Sequence, residues 1–156
     1  MPKQPAPSLM GRALRYLSRR EHSQQELRKK LLPFAESEQE LADLLLKLEQ
    51  QGWLSNERFA EGLARRKADR YGSLKIVDEL KQNGIDLETI SRLKHQLKDT
   101  DAQRAWELWD RKFSNIAEDQ KERAKQIRYL VSKGFPLDIV SRIISGRYSP
   151  PEDSDS

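Results

Sequence analysis

The sequence predicts an all-α protein built from tandem three-helix repeats that form an elongated array, and three observations carry that expectation. Apolar residues recur three and four apart along nearly the whole chain, while the alternation that marks β-strands is absent. The segment Gly84-Ile85-Asp86-Leu87-Glu88-Thr89-Ile90-Ser91-Arg92-Leu93 returns fifty residues later as Gly134-Phe135-Pro136-Leu137-Asp138-Ile139-Val140-Ser141-Arg142-Ile143. Repetition of this kind marks units that bury their apolar faces on their neighbours. Finally, 35% of the 156 residues are charged and only 36% hydrophobic, so most of each helix has to face water.

The elements follow in order. Residues 1–7, with three prolines, and an acidic tail at 147–156 are expected to be disordered. They leave repeats at 8–52, 53–98 and 99–146. In the first repeat, Leu9, Ala13, Leu14 and Leu17 form one stripe, Leu27, Leu31 and Leu32 a second, and Leu41, Leu44, Leu45 and Leu48 a third. Ser23-x-x-Glu26 and Ser37-x-x-Glu40 are capping-box patterns that open the second and third helices. Gly52 is placed as a left-handed cap, with Trp53 as a plug between units and Leu54 covering the junction, before Ser55 opens the next helix.

The second repeat runs through Phe59, Ala60, Leu63, Ala64 and Ala68, then Ile76, Val77 and Leu80, then Leu87, Ile90, Leu93 and Leu97. Turns at Tyr71-Gly72-Ser73 and Asn83-Gly84 separate these stripes. The third has the same order: Ala102, Ala105, Trp106, Trp109 and Phe113; Ala124, Ile127, Leu130 and Val131; Leu137, Val140, Ile143 and Ile144. Superposition by fifty residues also matches Val77 with Ile127 and Leu80 with Leu130. The first helices match at forty-six, Ser55 and Arg58 meeting Asp101 and Arg104, so the difference is placed after Phe113.

Cysteine is absent, no apolar run approaches the length of a membrane span, and no charged-then-hydrophobic leader opens the chain. The expectation is a soluble cytoplasmic protein. The net charge of +4 is uneven: residues 1–35 hold eight basic and two acidic groups, 36–54 one and five, and 55–75 six and three. Basic blocks of this kind suit nucleic acid, or an acidic protein surface by complementarity.

Little points to catalysis. His22 and His95 lie in different repeats with no motif around them and read as surface or capping residues, and Asp99-x-Asp101 reads as a helix-start pair. No glycine-rich phosphate loop is present, so neither nucleotide hydrolysis nor a bound cofactor or metal is expected. Trp106, Trp109 and Phe113 extend an apolar stripe and are assigned to the core in preference to a base-stacking platform.

The basic clusters are the candidate contact residues. Arg12, Arg15 and Arg19 form a ridge on the first helix, with Arg28, Lys29 and Lys30 on the second. Arg65, Arg66, Lys67 and Arg70 crowd the end of the helix that opens the second repeat. Arg123, Lys125 and Arg128 belong to the third.

One family shares these features. Gly52-Trp53-Leu54-Ser55-Asn56-Glu57-Arg58-Phe59-Ala60, then Arg65-Arg66-Lys67, then Gly72 through Gly84-Ile85, resembles the central signature of the RecX family of RecA regulators. Ala13-Leu14-x-x-Leu17-x-x-Arg20-x-x-Ser23-x-x-Glu26-Leu27-x-x-x-Leu31 is similar to its first motif, and Lys133-Gly134-Phe135 to the turn of its third. Ser55-Asn56 and Leu74-Lys75 depart from the family's usual residues.

The resemblance implies a curved, elongated, monomeric body that binds the RecA–DNA filament in its helical groove. It implies a non-enzymatic regulator that limits filament growth, ATPase activity, strand exchange and the SOS response in DNA repair and recombination, with weak, non-specific DNA binding and no membrane partner. A DNA-binding protein of helix-turn-helix type remains the alternative, although no clear recognition helix stands out between Leu87 and Leu97. A nuclease would need clustered acids or histidines at metal spacing, and the sequence supplies none.

Overall fold

A computed structural model describes residues 5–152; the parts of the two expected disordered termini at 1–4 and 153–156 lie outside the described residues. Those described form eight α-helices and no strand: α1 (Leu9–Arg19), α2 (Gln24–Leu31), α3 (Glu38–Gln50), α4 (Asn56–Lys67), α5 (Ser73–Gln82), α6 (Leu87–Lys112), α7 (Gln120–Ser132) and α8 (Leu137–Ile144). None of them is long and apolar enough to cross a membrane.

Capping residues start the helices where the sequence places them. The hydroxyls of Ser23, Ser37 and Ser55 accept from the N–H of Glu26, Glu40 and Arg58 at 3.0, 3.1 and 3.1 Å. The return halves of the expected capping boxes do not form. Glu26 turns to Arg20 instead, and Glu40 accepts from the N–H of Glu36, the residue before the N-cap Ser37. Gly52, Gly84 and Gly134 have φ of 81°, 73° and 95°, the left-handed conformation that ends α3, α5 and α7 without a Cβ penalty.

Three separate apolar clusters result. Ala13, Leu27, Leu31, Leu41, Leu45, Leu48 and Leu54 make the first. The second gathers Phe59, Leu63, Ile76, Leu80, Ile90 and Leu93 with their neighbours, and the third Ala105, Trp109, Leu130, Phe135, Val140 and Ile143 with theirs. The core is therefore repeated along the chain, one cluster to each unit, in place of a single central one.

Several expectations need correction. Asp99 and Asp101 do not start a helix: α6 runs unbroken through them for 26 residues, fusing the last helix of the second unit to the first of the third. Leu97, Asp101, Ala105 and Leu108 lie on one buried face, so the stripe continues through a carboxylate. Trp53 is 54% exposed and is not a plug; Leu54 alone closes the first core. Leu87, Leu137 and Val131 are 79%, 63% and 44% exposed, outside the stripes assigned to them, the two leucines because they occupy the first turn of their helices.

The two junctions between units follow one plan with different chemistry. Between units one and two, Asn56 Oδ1 accepts from the N–H of Gln24 at 2.7 Å, Gln25 Nε2 donates to the carbonyl of Gln82 at 2.8 Å, and Arg58 bridges Glu21 and the carbonyl of Gly52. At the equivalent place between units two and three, the chains dock backbone to backbone. The N–H groups of Gly72 and Leu74 donate to the carbonyls of Lys133 and Gly134 at 2.8 and 3.0 Å.

That docking needs two glycines. A Cβ on Gly72 would stand 2.4 Å from the carbonyl oxygen of Gly134, and one on Gly134 would stand 2.4 Å from the Cβ of Lys75. Behind the contact is a buried polar lock. Gly72, the N-cap of α5, has no side chain to offer, and Asp101 of α6 supplies the cap, accepting from the N–H of Ser73 at 3.0 Å and from its hydroxyl. Arg104 closes the lock, donating to Asp101 and to the carbonyl of Tyr71 at 2.6 Å each, and to the carbonyl of Ala68 at 3.0 Å.

Candidate partner-binding surface

The cationic side chains differ in whether anything neutralises them. On α1, residues 12, 15 and 19 lie within about 60° of one another at 100° per residue, so Arg12, Arg15 and Arg19 form one ridge. The guanidinium of Arg12 stacks on Phe34, 3.7 Å from the ring centroid, while Arg15 and Arg19 are exposed. On α2, Lys29 is exposed, Arg28 pairs with Glu38 at 3.0 Å, and Lys30 turns inward.

At the end of α4, Arg65, Arg66 and Arg70 are exposed, Arg65 bordering a hollow of about 300 Å³ shared with Glu61, Arg92 and Gln96. Lys67 points elsewhere, pairing with Glu79 at 3.5 Å. Arg123, Lys125 and Arg128 are exposed on α7, but the helical pitch puts Arg123 on a different side from the other two, so they form no single ridge.

Among the described residues, no carboxylate lies within 4 Å of Arg12, Arg15, Arg19, Lys29, Arg65, Arg66, Arg70, Arg123, Lys125 or Arg128; the seven ion pairs involve other cations apart from Lys67. Arg20 is the contrast. It grips Glu26 through two bonds of 2.9 and 2.6 Å, and that hydrogen bonding holds the Glu26 carboxyl below its usual range and raises Arg20. Such paired cations hold the fold together; the unpaired ones remain available to an anionic partner.

The two histidines part company. His95 lies on the surface as expected, but His22 is only 1% exposed, a correction to its surface or capping assignment. Its Nδ1 is 3.0 Å from the carbonyl of Arg20 and its Nε2 2.9 Å from the Lys30 ammonium, with Tyr16 tilted against the ring. The carbonyl requires a proton on Nδ1, which leaves Nε2 to accept from Lys30. Burial lowers the His22 pKa, the hydrogen bond to the Arg20 carbonyl opposes that shift, and the charges of Arg20 and Lys30 add to the lowering.

A histidine whose folded pKa lies below its unfolded one leaves stability unchanged above the unfolded value of about 6.5 and weakens it as the pH falls below that. Acidification from neutral pH to about pH 5 is therefore expected to lower the melting temperature. His22→Gln, followed by circular dichroism at both pH values, should show a smaller drop than the parent protein. An equal drop in both would assign the acid sensitivity to other groups.

Sequence reasoning missed Lys75, Lys112 and Lys133. They meet Lys67 around Tyr71 and Tyr129 at the junction of units two and three, and no linear motif unites them. Only the packing of Gly72 against Gly134 brings Lys133 beside α5, and the sequence carries no signal for that contact. Trp106 and Phe113 pack on the third core, and Trp109 is buried with its indole N–H donating to Gln126 at 2.9 Å, so none forms a stacking platform. Among the described residues, no group of three or more His, Asp or Glu is placed to hold a metal ion.

Comparison with known proteins agrees with this architecture. Three family models match in order: the first three-helix domain of RecX over residues 10–32, the second over 55–93 and the third over 99–144. The chain is 50% identical over 155 residues to the regulatory protein RecX of Ralstonia pickettii, covering 99% of this chain and 97% of that one. It is 46% identical to the protein of the same name from Ralstonia nicotianae, with the same coverage. The crystal structure of RecX from Lactobacillus salivarius superposes with a TM-score of 0.75 at 22% identity, covering 88% of this chain and 93% of that one.

Proposed function

Because the chain belongs to the RecX family of regulatory proteins, we propose that it is a non-enzymatic negative regulator of RecA that binds along the groove of the RecA–DNA filament. It limits filament growth, ATP hydrolysis and strand exchange, and so restrains the SOS response in the cytoplasm. The observation that carries this reading is the set of exposed cations without carboxylate partners on all three units, from the α1 ridge through the end of α4 to α7.

A filament groove offers phosphates and protein carboxylates at regular intervals, and an extended series of units meets them with many modest contacts. Once one unit docks, the others bind at a high effective concentration. A helix-turn-helix mode fits less well. The helix that would read a groove is the first half of α6, whose Arg92 is held by Glu57 and Glu61 at 3.2 Å and whose second half belongs to the next unit.

The test is RecA's DNA-dependent ATPase and imaging of preformed filaments, with the parent protein and with Arg65→Glu/Arg66→Glu. The parent is expected to slow hydrolysis and shorten filaments at low micromolar concentration, and the variant to need about tenfold more, with the effect of both fading as salt rises. No effect of the parent on either readout would overturn the proposal.

A further inference from the structure

The docking of unit three on unit two assembles a cluster of four lysines from four different elements. The ammonium groups of Lys67, Lys75 and Lys133 stand 5.4, 4.5 and 5.6 Å from the centroid of the Tyr71 ring. Those of Lys112 and Lys133 stand 4.8 and 5.5 Å from the centroid of Tyr129, so Lys133 joins the two rings into one patch. Among the described residues, the only ion pair in the patch is Lys67 with Glu79, at 3.5 Å; Asp78 borders it beside Lys75, and Asp101 beneath is committed to Ser73 and Arg104.

Ring faces attract ammonium groups but carry no net charge, so they gather the lysines without neutralising them. Four like charges held together against two carboxylates repel one another, and an anion seated among them relieves that repulsion. The set is entirely lysine, compact point charges that meet phosphate oxygens from any direction, and it lacks the guanidinium fork that would fix a phosphate or carboxylate in one geometry, which suits a backbone contacted without regard to sequence.

We propose that this patch is a phosphate-contact site for a nucleic-acid backbone, indifferent to sequence and formed only while units two and three are docked. It adds Lys75, Lys112 and Lys133 to the contact surface. The inference rests on the reading that filament DNA lies within the protein's reach, but it is tested on DNA without RecA, so either can fail without the other.

The experiment is fluorescence anisotropy with a labelled oligothymidylate and a labelled duplex of equal length, over a salt series. Lys75→Gln/Lys133→Gln is compared with the charge-matched pair Lys94→Gln/Lys98→Gln on α6. The junction pair is expected to weaken binding about tenfold at low salt and to reduce the slope of log K against log salt by roughly 1.4 for the single strand and 1.8 for the duplex. The α6 pair should change the slope by less than half as much. Lys75→Arg/Lys133→Arg should retain binding.

Equal losses from the two glutamine pairs would overturn the site in favour of a diffuse charge effect. Polyglutamate of matched charge that binds more tightly than the oligonucleotide, through the same lysines, would overturn it in favour of an acidic protein surface. A melting curve on each variant guards the interpretation. The junction pair should melt no lower than the parent, because it relieves like-charge crowding, and a large loss of stability would show that the lysines hold the fold.

Discussion

Asp101→Ala is expected to destabilise the protein by about 3–5 kcal/mol, the scale of breaking a buried ion pair from one side. The Asp101 side chain is fully buried and that of Arg104 only 12% exposed, so the substitution strands a guanidinium without its ion-pair partner, leaving only the weaker fields of Asp69 and Glu107. It also removes the acceptor for the first N–H of α5, where Gly72 has nothing to substitute. Asp101→Asn keeps an acceptor but loses the charge and should fall in between. Urea unfolding followed by circular dichroism measures both; a loss under about 1 kcal/mol for the alanine variant would show that the lock contributes little.

Gly72→Ala is expected to pry units two and three apart, with a loss of about 3 kcal/mol, the upper end of over-packing. Its φ of −82° suits any residue, so the whole effect comes from a Cβ driven against the backbone of Gly134 and Phe135, which has no side chain to swing away. Gly52→Ala provides the comparison. At φ 81° with nothing within 4 Å, it incurs only the strain of the left-handed backbone, about 1 kcal/mol. Small-angle scattering on Gly72→Ala should show a larger radius of gyration, and an unchanged radius with full stability would refute the glycine contact.

Much of the fold was legible because short-range rules wrote it. Serines at 23, 37 and 55 act within three residues, and Gly52, Gly84 and Gly134 end their helices by their own backbone conformation. The fusion of two helices into α6 was not legible, because a carboxylate at position 101 reads as a helix start unless its distant partners are known. Ser73 is 28 residues away in sequence, and only the packed structure makes a buried charge acceptable there.

The surface divided along the same line. The ridge on α1 follows from helical spacing alone, whereas His22 and Lys30 were misread because two polar residues eight apart satisfy each other inside the first unit. The lysine patch exists only through contact between turns that are far apart in sequence, which a scan for charge runs cannot find.

The division into three clusters also governs how the chain is made. Each cluster draws on one continuous stretch, residues 13–54, 59–97 and 105–144, so every core closes over short loops and none waits for a distant segment. During synthesis the first unit is expected to be able to complete its core once Leu54 has left the ribosome, with the later units condensing onto it in turn. A nascent chain of this kind exposes at most one unfinished core at a time, which keeps its aggregation-prone interval short.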